Sequence, residues 1–386
     1  MGQPRKKQPT AQAKCEIRFV HEPIHASSRS HLPAVESHVF TWRRPGALAR
    51  PEPGSAPRMP PRLATAQRIQ PSRPLRGGVD GQRNFVDIAA AWRLSRSSWS
   101  TPVLIHRNHS GMLEFLARFE PHIIAVMLAV FATCDRGRGL FVDSGANDGA
   151  WSLMAGVAGC RVIAVEPQPQ CTRLLRSAVR VNGLSERVSI HQNILAGRPI
   201  QTQVPTDRCG GDTQFLPDGR VTTAFGWDER RFNRSLATAP RATVRSASLD
   251  DLLQRGRDVP ATVDLWHIDT EGAELVVLRS AAAALSAARV RRVLIEVRTD
   301  RWVKFGVPQR AGLAEARRFF RDWRCVNACS NEPFDWSRSP HAKRDCARRL
   351  VNTGVTSIDV YCVHPLAAPV GREPGLRALH EWFAKG

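Results

Sequence analysis

The stretch Gly-Leu-Phe-Val-Asp-Ser-Gly-Ala-Asn-Asp-Gly, residues 139–149, joins an apolar run directly to a turn marked by glycines. An apolar run that ends in an acid and enters a Gly-x-x-x-Gly turn is typical of the first strand of an α/β sheet, whose carboxyl end faces a nucleotide. Gly145 and Gly149 permit backbone angles and close approaches that a Cβ would prevent. A helix predicted over residues 150–157 would direct its amino-terminal amides to the same place, with Asp143 near the mouth.

Two further apolar runs end in acids, in the order that a nucleotide site requires. The run Arg-Val-Ile-Ala-Val-Glu-Pro ends in Glu166, whose distance from the glycine turn suits an acid that accepts the protons of both ribose hydroxyls. The run Val-Asp-Leu-Trp-His-Ile-Asp ends in Asp269 and is followed by Glu271 and Glu274. Each run alone would be an ordinary buried strand, but the three together predict a nucleotide site at one edge of a sheet.

Four stretches of the chain resemble the FkbM-type family of S-adenosylmethionine-dependent methyltransferases. They are Phe-Val-Asp-Ser-Gly-Ala-Asn-Asp-Gly at 141–149, Val-Glu-Pro at 165–167, Ser-Leu-Asp-Asp-Leu-Leu at 248–253 and Ile-Asp-Thr-Glu-Gly-Ala-Glu-Leu at 268–275. The resemblance extends from the helix predicted near Glu120 to the strand that ends at Val297. The chain departs from the family at His267, where a lysine is common, and at Ser144, which replaces the valine of Asp-Val-Gly. Neither departure removes an acid or a glycine of the expected site.

The resemblance implies an α/β fold of the class I methyltransferase-like, Rossmann-like kind: a mostly parallel seven-stranded sheet with helices on both faces, whose last two strands form an antiparallel pair. It also implies S-adenosylmethionine as cofactor and methylation of a hydroxyl oxygen on a sugar, polyketide or similar small molecule. The residues expected at the cofactor are Asp143, Gly145, Ala146, Asn147, Gly149, Glu166 and Asn193. The residues expected at the acceptor are Asp269, Glu271 and His267, whereas Glu274 is expected to favour the start of the following helix electrostatically.

Three other classes of function compete with this reading. A nicotinamide dehydrogenase is disfavoured because the first turn lacks Gly-x-Gly-x-x-Gly. The net charge of +21 would suit a nucleic-acid methyltransferase or a basic binding module, but a binding module leaves the acids at the strand ends unexplained. Asn331-Glu-Pro-Phe echoes a site of amino-group nucleic-acid methyltransferases, yet it follows the fifth predicted strand instead of the fourth. Nucleic acid is therefore an alternative partner that we do not favour over a small-molecule acceptor.

The nine cysteines are an odd number, and their scatter does not suggest a secreted disulfide framework. We therefore expect a reducing compartment, the cytoplasm, with an organelle as the alternative because the amino-terminal segment is rich in arginine. Cys325, Cys329, His341 and Cys346 have a spacing that zinc could use. The surrounding sequence is more typical of a loop in a cysteine-bearing protein, so no metal site is expected.

The 386-residue chain divides by composition into four parts. Residues 1–80 are rich in proline and arginine and are predicted to be disordered, because they cannot bury enough apolar surface to offset chain entropy. Residues 81–120 are predicted to form helices that pack on or cap the catalytic domain, residues 121–365 the methyltransferase domain, and residues 366–386 a helical tail. Within the domain, the polar stretch 197–240 is expected to form substrate-facing loops. No apolar run approaches the roughly 20 residues that cross a bilayer.

Overall fold

The computed structural model describes residues 84–88, 102–107, 113, 116, 120–134, 139–210, 213–215, 221–223, 239–255, 260, 262–337 and 357–367. The predictions for residues 1–80, for His341 and Cys346 and for nearly all of the tail lie outside these residues. The division into four parts stays a prediction.

The chain alternates strands and helices through most of the described part. The strands are β1 (Phe85–Asp87), β2 (Leu104–His106), β3 (Leu140–Ser144), β4 (Arg161–Val165), β5 (Val188–His191), β6 (Ile194–Leu195), β7 (Gln201–Pro205), β8 (Thr213–Phe215), β9 (Val221–Thr223), β10 (Arg241–Ala247), β11 (Leu265–Ile268), β12 (Arg292–Val297), β13 (Arg324–Asn327) and β14 (Ile358–Val363). The helices are α1 (Pro121–Phe131), α2 (Ala150–Ala158), α3 (Pro169–Val181), α4 (Leu249–Arg255), α5 (Glu274–Arg279), α6 (Ala282–Ser286), α7 (Thr299–Trp302) and α8 (Gln309–Phe319).

Seven strands form the central sheet, in the order β13-β14-β12-β11-β3-β4-β5. Five neighbouring strands of this sheet run parallel to one another: β12, β11, β3, β4 and β5. The strand β14 lies between β12 and β13 and is antiparallel to both. This is the class I methyltransferase-like, Rossmann-like arrangement, so the expected fold class and the antiparallel final pair are confirmed.

The central strands are apolar along their length because helices cover both faces of the sheet. One face packs α1, α2 and α3 around side chains such as Phe141, Leu153 and Leu175. The other face packs α4, α5, α6 and α8 around side chains such as Trp266 and Leu278. Because residues alternate between the faces, strands such as β3, β4, β11 and β12 contribute to both cores.

The order of the strands reverses at β3, which lies between β4 on one side and β11 on the other. In open α/β sheets, ligands bind beyond the carboxyl ends of the strands at such a switch point. The topology therefore directs attention to the turns that follow β3, β4 and β11.

The prediction of helices over residues 81–120 is wrong at two places, because Phe85–Asp87 and Leu104–His106 form strands. β1 pairs with β2 in an antiparallel ladder. The side chain of Asp87 accepts a hydrogen bond from the amide of Val103 at 2.9 Å. Asn182 lies at the end of α3. Its side chain accepts a hydrogen bond from the amide of Leu104 at 2.8 Å and donates one to the carbonyl of Leu104 at 2.7 Å. These long-range bonds override the local helical periodicity.

The scatter of the cysteines does not suggest a disulfide framework, yet the cysteines within the described residues are paired. Disulfides join Cys134 to Cys160, Cys171 to Cys209 and Cys325 to Cys362, and Cys329 is disulfide-bonded as well. A zinc site that uses the Cys325 and Cys329 thiolates is therefore excluded. The partners lie 26, 38 and 37 residues apart, and only the packing of distant elements reveals such pairings.

The stretch predicted to form substrate-facing loops contains strands where it is described. β7 pairs antiparallel with β10, which also pairs with β6, and β8 pairs with β9. Its role toward a substrate stays a prediction. Across the described residues, none of the helices has the length and apolar character needed to cross a membrane.

Candidate active site

The turn after β3 requires glycine at two places. Gly145 has φ +83°, and a Cβ there would clash with the carbonyl oxygen of Asp269 at the end of β11. Gly149 has φ +91°, and a Cβ there would clash with the side chain of Leu175 in α3. Both angles fall in the region that side chains disfavour. The glycines therefore let the turn touch β11 on one side and α3 on the other.

Glu166 ties the turn after β3 to the turn after β4. Its carboxylate accepts hydrogen bonds from the backbone amides of Asn147, at 2.9 Å, and Gln168, at 2.8 Å. The amides of Gly145 and Ala146 are bonded to the carbonyl of Val165, at 3.0 and 3.1 Å. Burial raises the pKa of Glu166 to about 7, against the effect of its backbone hydrogen bonds. The structure thus gives Glu166 a role in shaping the turns, and its expected contact with ribose stays a prediction.

Asp143 is fully buried beneath the turn, with both oxygens engaged inside the protein. One oxygen accepts a hydrogen bond from Ser152 at 2.6 Å, and the other lies 3.0 Å from Nδ1 of His267. Burial by itself lowers the pKa of His267, but the hydrogen bond and charge of Asp143 raise it above its ordinary value. The ring of His267 also meets Trp151 edge to face. His267 is therefore a packed, cation-favouring side chain, and Asp143 is its partner.

Acidic side chains gather where the parallel strands end, on the face covered by α1. Alternation along the strands puts Asp269, Glu296 and Asp359 on this face, together with His267. A side-chain hydrogen bond joins Asp269 to Glu296, and Glu296 is opposite Asp359 in the ladder. Burial, followed by the charge of Asp269, raises the pKa of Glu296 well above its ordinary value, and burial also raises that of Asp269. Asp269 and Glu296 can therefore share one proton.

The helix α1 extends this polar group toward the edge of the sheet. His122 lies 2.7 Å from the carboxylate of Asp359 through its Nε2. Burial, followed by the charges of Asp359 and Asp269, raises the pKa of Glu120 well above its ordinary value. None of Glu120, His122, Glu296 and Asp359 was singled out as a site residue from the sequence. A charged residue inside an apolar strand, as at Glu296 and Asp359, is the signal that could have identified two of them.

Glu271 lies beside two arginines in the turn after β11. Arg298 Nη1 lies 3.7 Å from carboxylate oxygens of both Glu271 and Glu296, and Arg301 also contacts Glu271. Burial lowers the pKa of Arg301 to about 10. Asp269, Glu271 and Glu296 offer oxygens within 4.8 Å of one another, a spacing that a divalent cation could use. The arginines already supply positive charge, so the carboxylates do not require a metal.

The side chain of Glu274 is bonded inside the protein and does not face the ligand site. It is fully buried. Its carboxylate accepts hydrogen bonds from the backbone amide of Gly272, at 2.6 Å, and from the indole of Trp302, at 2.7 Å. The turn it supports has positive φ at Glu271 (56°) and Gly272 (106°). Glu274 therefore holds the turn that presents Glu271.

The structure thus brings Gly145, Ala146, Asn147, Glu166, Asp269 and Glu271 together around one switch point. Asn193 follows β5, and its side-chain amide donates a hydrogen bond to the carbonyl of Arg245 at 3.0 Å. Its expected contact with a cofactor stays a prediction.

Residues 143–326 match the family described as the methyltransferase FkbM domain, whereas no curated protein matches the chain. Similar solved structures include the methyltransferase domain of METTL16, with 11% identity and a TM-score of 0.37 over 74% of this chain and 88% of that one. Another is the human methyltransferase 10 domain containing protein, with 12% identity and a TM-score of 0.33 over 63% of this chain and 82% of that one.

The matched region begins at Asp143 in β3 and ends at Val326 in β13, so it includes the switch point and all three acid-bearing turns. The strand order independently specifies the same fold. Residues 143–326 are an S-adenosylmethionine-dependent methyltransferase domain of the FkbM type.

Proposed function

We propose that the protein transfers the methyl group of S-adenosylmethionine to a hydroxyl oxygen of a sugar, polyketide or similar small molecule. The observation that carries the proposal is the position of Asp269. Its backbone packs against the turn of Gly145, and its side chain is hydrogen-bonded to Glu296. An acid at the switch point is therefore available to a hydroxyl-bearing acceptor.

The residues at the switch point suit the cofactor. Gly145 keeps the turn clear of a side chain, and Glu166 supplies a carboxylate at the end of β4 for hydroxyl protons. When bound, S-adenosylmethionine supplies an electrophilic methyl group on a sulfonium. Glu271 would hold the positive amino group, since it is a carboxylate in the turn that contacts Gly145.

An acceptor hydroxyl must lose its proton as it is methylated. Asp269 and Glu296 form a pair that can take up one proton, because burial raises the pKa of both groups and the charge of Asp269 raises that of Glu296 further. A raised pKa makes a carboxylate a better general base near neutral pH. We assign Asp269 to the acceptor proton and Glu296 to the support of Asp269, while His267 and Asp143 hold the neighbouring strand ends in place.

The high net charge keeps a nucleic-acid acceptor as the second candidate. Against it, the carboxylates of Asp269, Glu271 and Glu296 lie within 4.8 Å of one another at the switch point. They would repel a phosphate backbone except where Arg298 and Arg301 offset their charge. A screen with S-adenosylmethionine labelled at the methyl carbon tests both acceptors. The proposal expects label in hydroxylated small molecules; label confined to RNA or DNA would replace it.

The cofactor assignment is tested with Glu166→Gln. Glutamine has a similar shape but one acceptor oxygen fewer, so one backbone amide or one ribose hydroxyl loses its partner. Loss of a charge-assisted hydrogen bond of roughly 1.5–3 kcal/mol predicts affinity for S-adenosylhomocysteine about ten- to a hundredfold weaker by calorimetry. Glu186→Gln, the same change on an exposed loop residue, is the control. Equal affinity in the two variants would remove Glu166 from the cofactor site.

A further inference from the structure

A short segment after β7, residues 206–210, crosses toward the turns of the cofactor site; we call it the strap. The amide of Thr206 is bonded to the carbonyl of Pro240 at 2.9 Å, which holds the first end of the strap next to β10. Cys209 forms a disulfide with Cys171 in α3. The last residue, Gly210, exchanges two hydrogen bonds with the side chain of Gln168, at 3.0 and 3.3 Å. The strap is therefore fastened to the segment that directly follows β4.

The disulfide also touches the turn after β3. The side-chain oxygen of Asn147 lies 3.3 Å from the sulfur of Cys171 and 3.0 Å from that of Cys209. Because the two sulfurs are bonded to each other and carry no proton, these are close contacts and not hydrogen bonds. Asn147 and Gln168 are also the two residues whose amides bind Glu166. Disulfide, strap and Glu166 thus form one connected group.

This group lies where the turns after β3 and β4 meet, which is the side of the switch point assigned above to the ribose. Without the disulfide, the carboxyl end of the strap would keep only its two hydrogen bonds to Gln168 among the bonds described. The net contribution of such a bond to stability is small against the conformational entropy lost when several residues are ordered. The covalent bond is therefore the main restraint on the strap.

We propose that the strap is a wall of the cofactor site and that the Cys171–Cys209 disulfide keeps this wall closed, so that reduction of the disulfide weakens binding of S-adenosylmethionine and S-adenosylhomocysteine. The inference rests on the proposed function, because it takes the turns joined by Glu166 to be the cofactor site. It adds Gln168 and the strap as positioning elements of that site, beside Asn147, which the sequence already places there.

The disulfide is open to a dithiol reductant from one side. Cys171 is fully buried, whereas Cys209 is half-buried, so a thiolate reaches the sulfur of Cys209. It forms a mixed disulfide with Cys209 and releases Cys171 as a thiolate. The second thiol of the reductant then attacks the mixed disulfide, releases the Cys209 thiolate and leaves the reductant as a cyclic disulfide. Two electrons pass to the protein, whose thiolates take up protons according to pH.

The experiment measures S-adenosylhomocysteine binding by calorimetry on the full chain, first without reductant and then after dithiothreitol. Mass spectrometry of the alkylated protein identifies which cysteines are free in each sample. If reduction leaves the strap closed in about one tenth of the molecules, the Kd rises about tenfold. The Cys171→Ala/Cys209→Ala variant should show the raised Kd with and without reductant.

The matched control is Cys134→Ala/Cys160→Ala, which removes a disulfide at the opposite end of β4. This variant should bind as the wild type does and should still respond to reductant. Gln168→Ala, which removes both bonds to Gly210 and leaves the disulfide intact, should raise the Kd in the same direction. It serves as the second variant if the Cys171→Ala/Cys209→Ala protein does not fold.

The outcomes separate this inference from the proposed function. Equal Kd values for wild-type protein that is verified as oxidised and as reduced at Cys171 and Cys209 would overturn the inference alone. A loss of affinity with reductant in the Cys171→Ala/Cys209→Ala variant would also overturn it, because the effect would then originate elsewhere. If no sample binds S-adenosylhomocysteine, the proposed function fails and the inference fails with it.

Discussion

Asp269 combines a backbone constraint with a chemical role. Its carbonyl occupies the space that a side chain at Gly145 would need, and its carboxyl group is hydrogen-bonded to Glu296. The buried pair Asp143 and His267 lies close to Asp269, on the adjacent strands β3 and β11. Substitutions at these positions can therefore separate the shape of the site from its chemistry.

Asp269→Asn keeps the shape of the side chain and removes its charge. If Asp269 takes the acceptor proton, turnover should fall by roughly the 10² to 10⁴ of a general base, while S-adenosylhomocysteine binds nearly normally. Calorimetry measures the affinity, and transfer of labelled methyl to the acceptor found by the screen measures turnover. Asp264→Asn, at the opposite end of the same strand segment, should change neither. A collapse of cofactor affinity in Asp269→Asn would instead make this residue a cofactor ligand.

Gly145→Ala should abolish cofactor binding, because the new methyl group would collide with the Asp269 carbonyl and push the turns apart. Gly306→Ala is the matched control: Gly306 also has positive φ (+73°), but a Cβ there would meet no atom within 4 Å. The left-handed conformation alone costs about 1–2 kcal/mol, so Gly306→Ala should lose that much in urea unfolding and Gly145→Ala should lose more. A Gly145→Ala protein with normal affinity would show that the turn can move without consequence.

At the scale of elements, the turn between β11 and α5 depends on Glu274, a fully buried acid. Glu274 joins the amide of Gly272 to the indole of Trp302 in α7. Burial raises its pKa from the ordinary 4.5 to about 7. The turn that carries Glu271 is therefore held by a group that changes charge near neutral pH.

This shift predicts that stability declines as pH rises. Between pH 4.5 and about 7 the folded protein retains a proton on Glu274 that the unfolded chain has lost, so the free energy of unfolding falls as pH rises through this window. Glu274→Gln cannot titrate, so its decline between pH 5 and 8 should be smaller by about 1–3 kcal/mol, at about 1.4 kcal/mol per pKa unit.

Urea unfolding of both proteins at several pH values measures the difference. Glu166 and Asp148 also have pKa values raised to about 7 by burial, so the variant should retain part of the decline. Glu274→Gln also loses one of the two hydrogen bonds and should be less stable than the wild type at pH 5. Parallel pH profiles for the two proteins would contradict the assignment.

At the scale of the whole molecule, the long amino-terminal segment is expected to be separable from the catalytic domain. A segment that cannot bury apolar surface adds no core, so a chain without residues 2–80 should keep its melting temperature within a few degrees. Its affinity for S-adenosylhomocysteine should also be unchanged. Scanning calorimetry and titration calorimetry measure the two quantities. A large drop in melting temperature would show that the segment folds against the domain.

The disulfides provide information about the subcellular location of the protein. Disulfides persist in oxidising environments and are rare in the cytosol of most organisms. The cytoplasmic location expected from the sequence stays a prediction, and the three described disulfides count against it. Alkylation and mass spectrometry of protein isolated without reductant would establish their state in the cell.

The sequence alone determined the central strands, the helices between them and the acids at the strand ends, because these depend on local patterns. Apolar runs, glycine turns and helical periodicity are properties of neighbouring residues, and the spacing of Glu166 from Gly145 follows from them. Strand order entered through the family resemblance, since periodicity does not specify which strands pair.

Only the tertiary structure decided which of these acids is free to act. Glu274 and Asp143 turn inward to Trp302 and His267, whereas Asp269 meets Glu296 from a neighbouring strand. The disulfides and the β1–β2 pair join residues far apart in the chain. Such contacts depend on the packing of elements against one another. The pattern of side chains along a single strand therefore does not predict them.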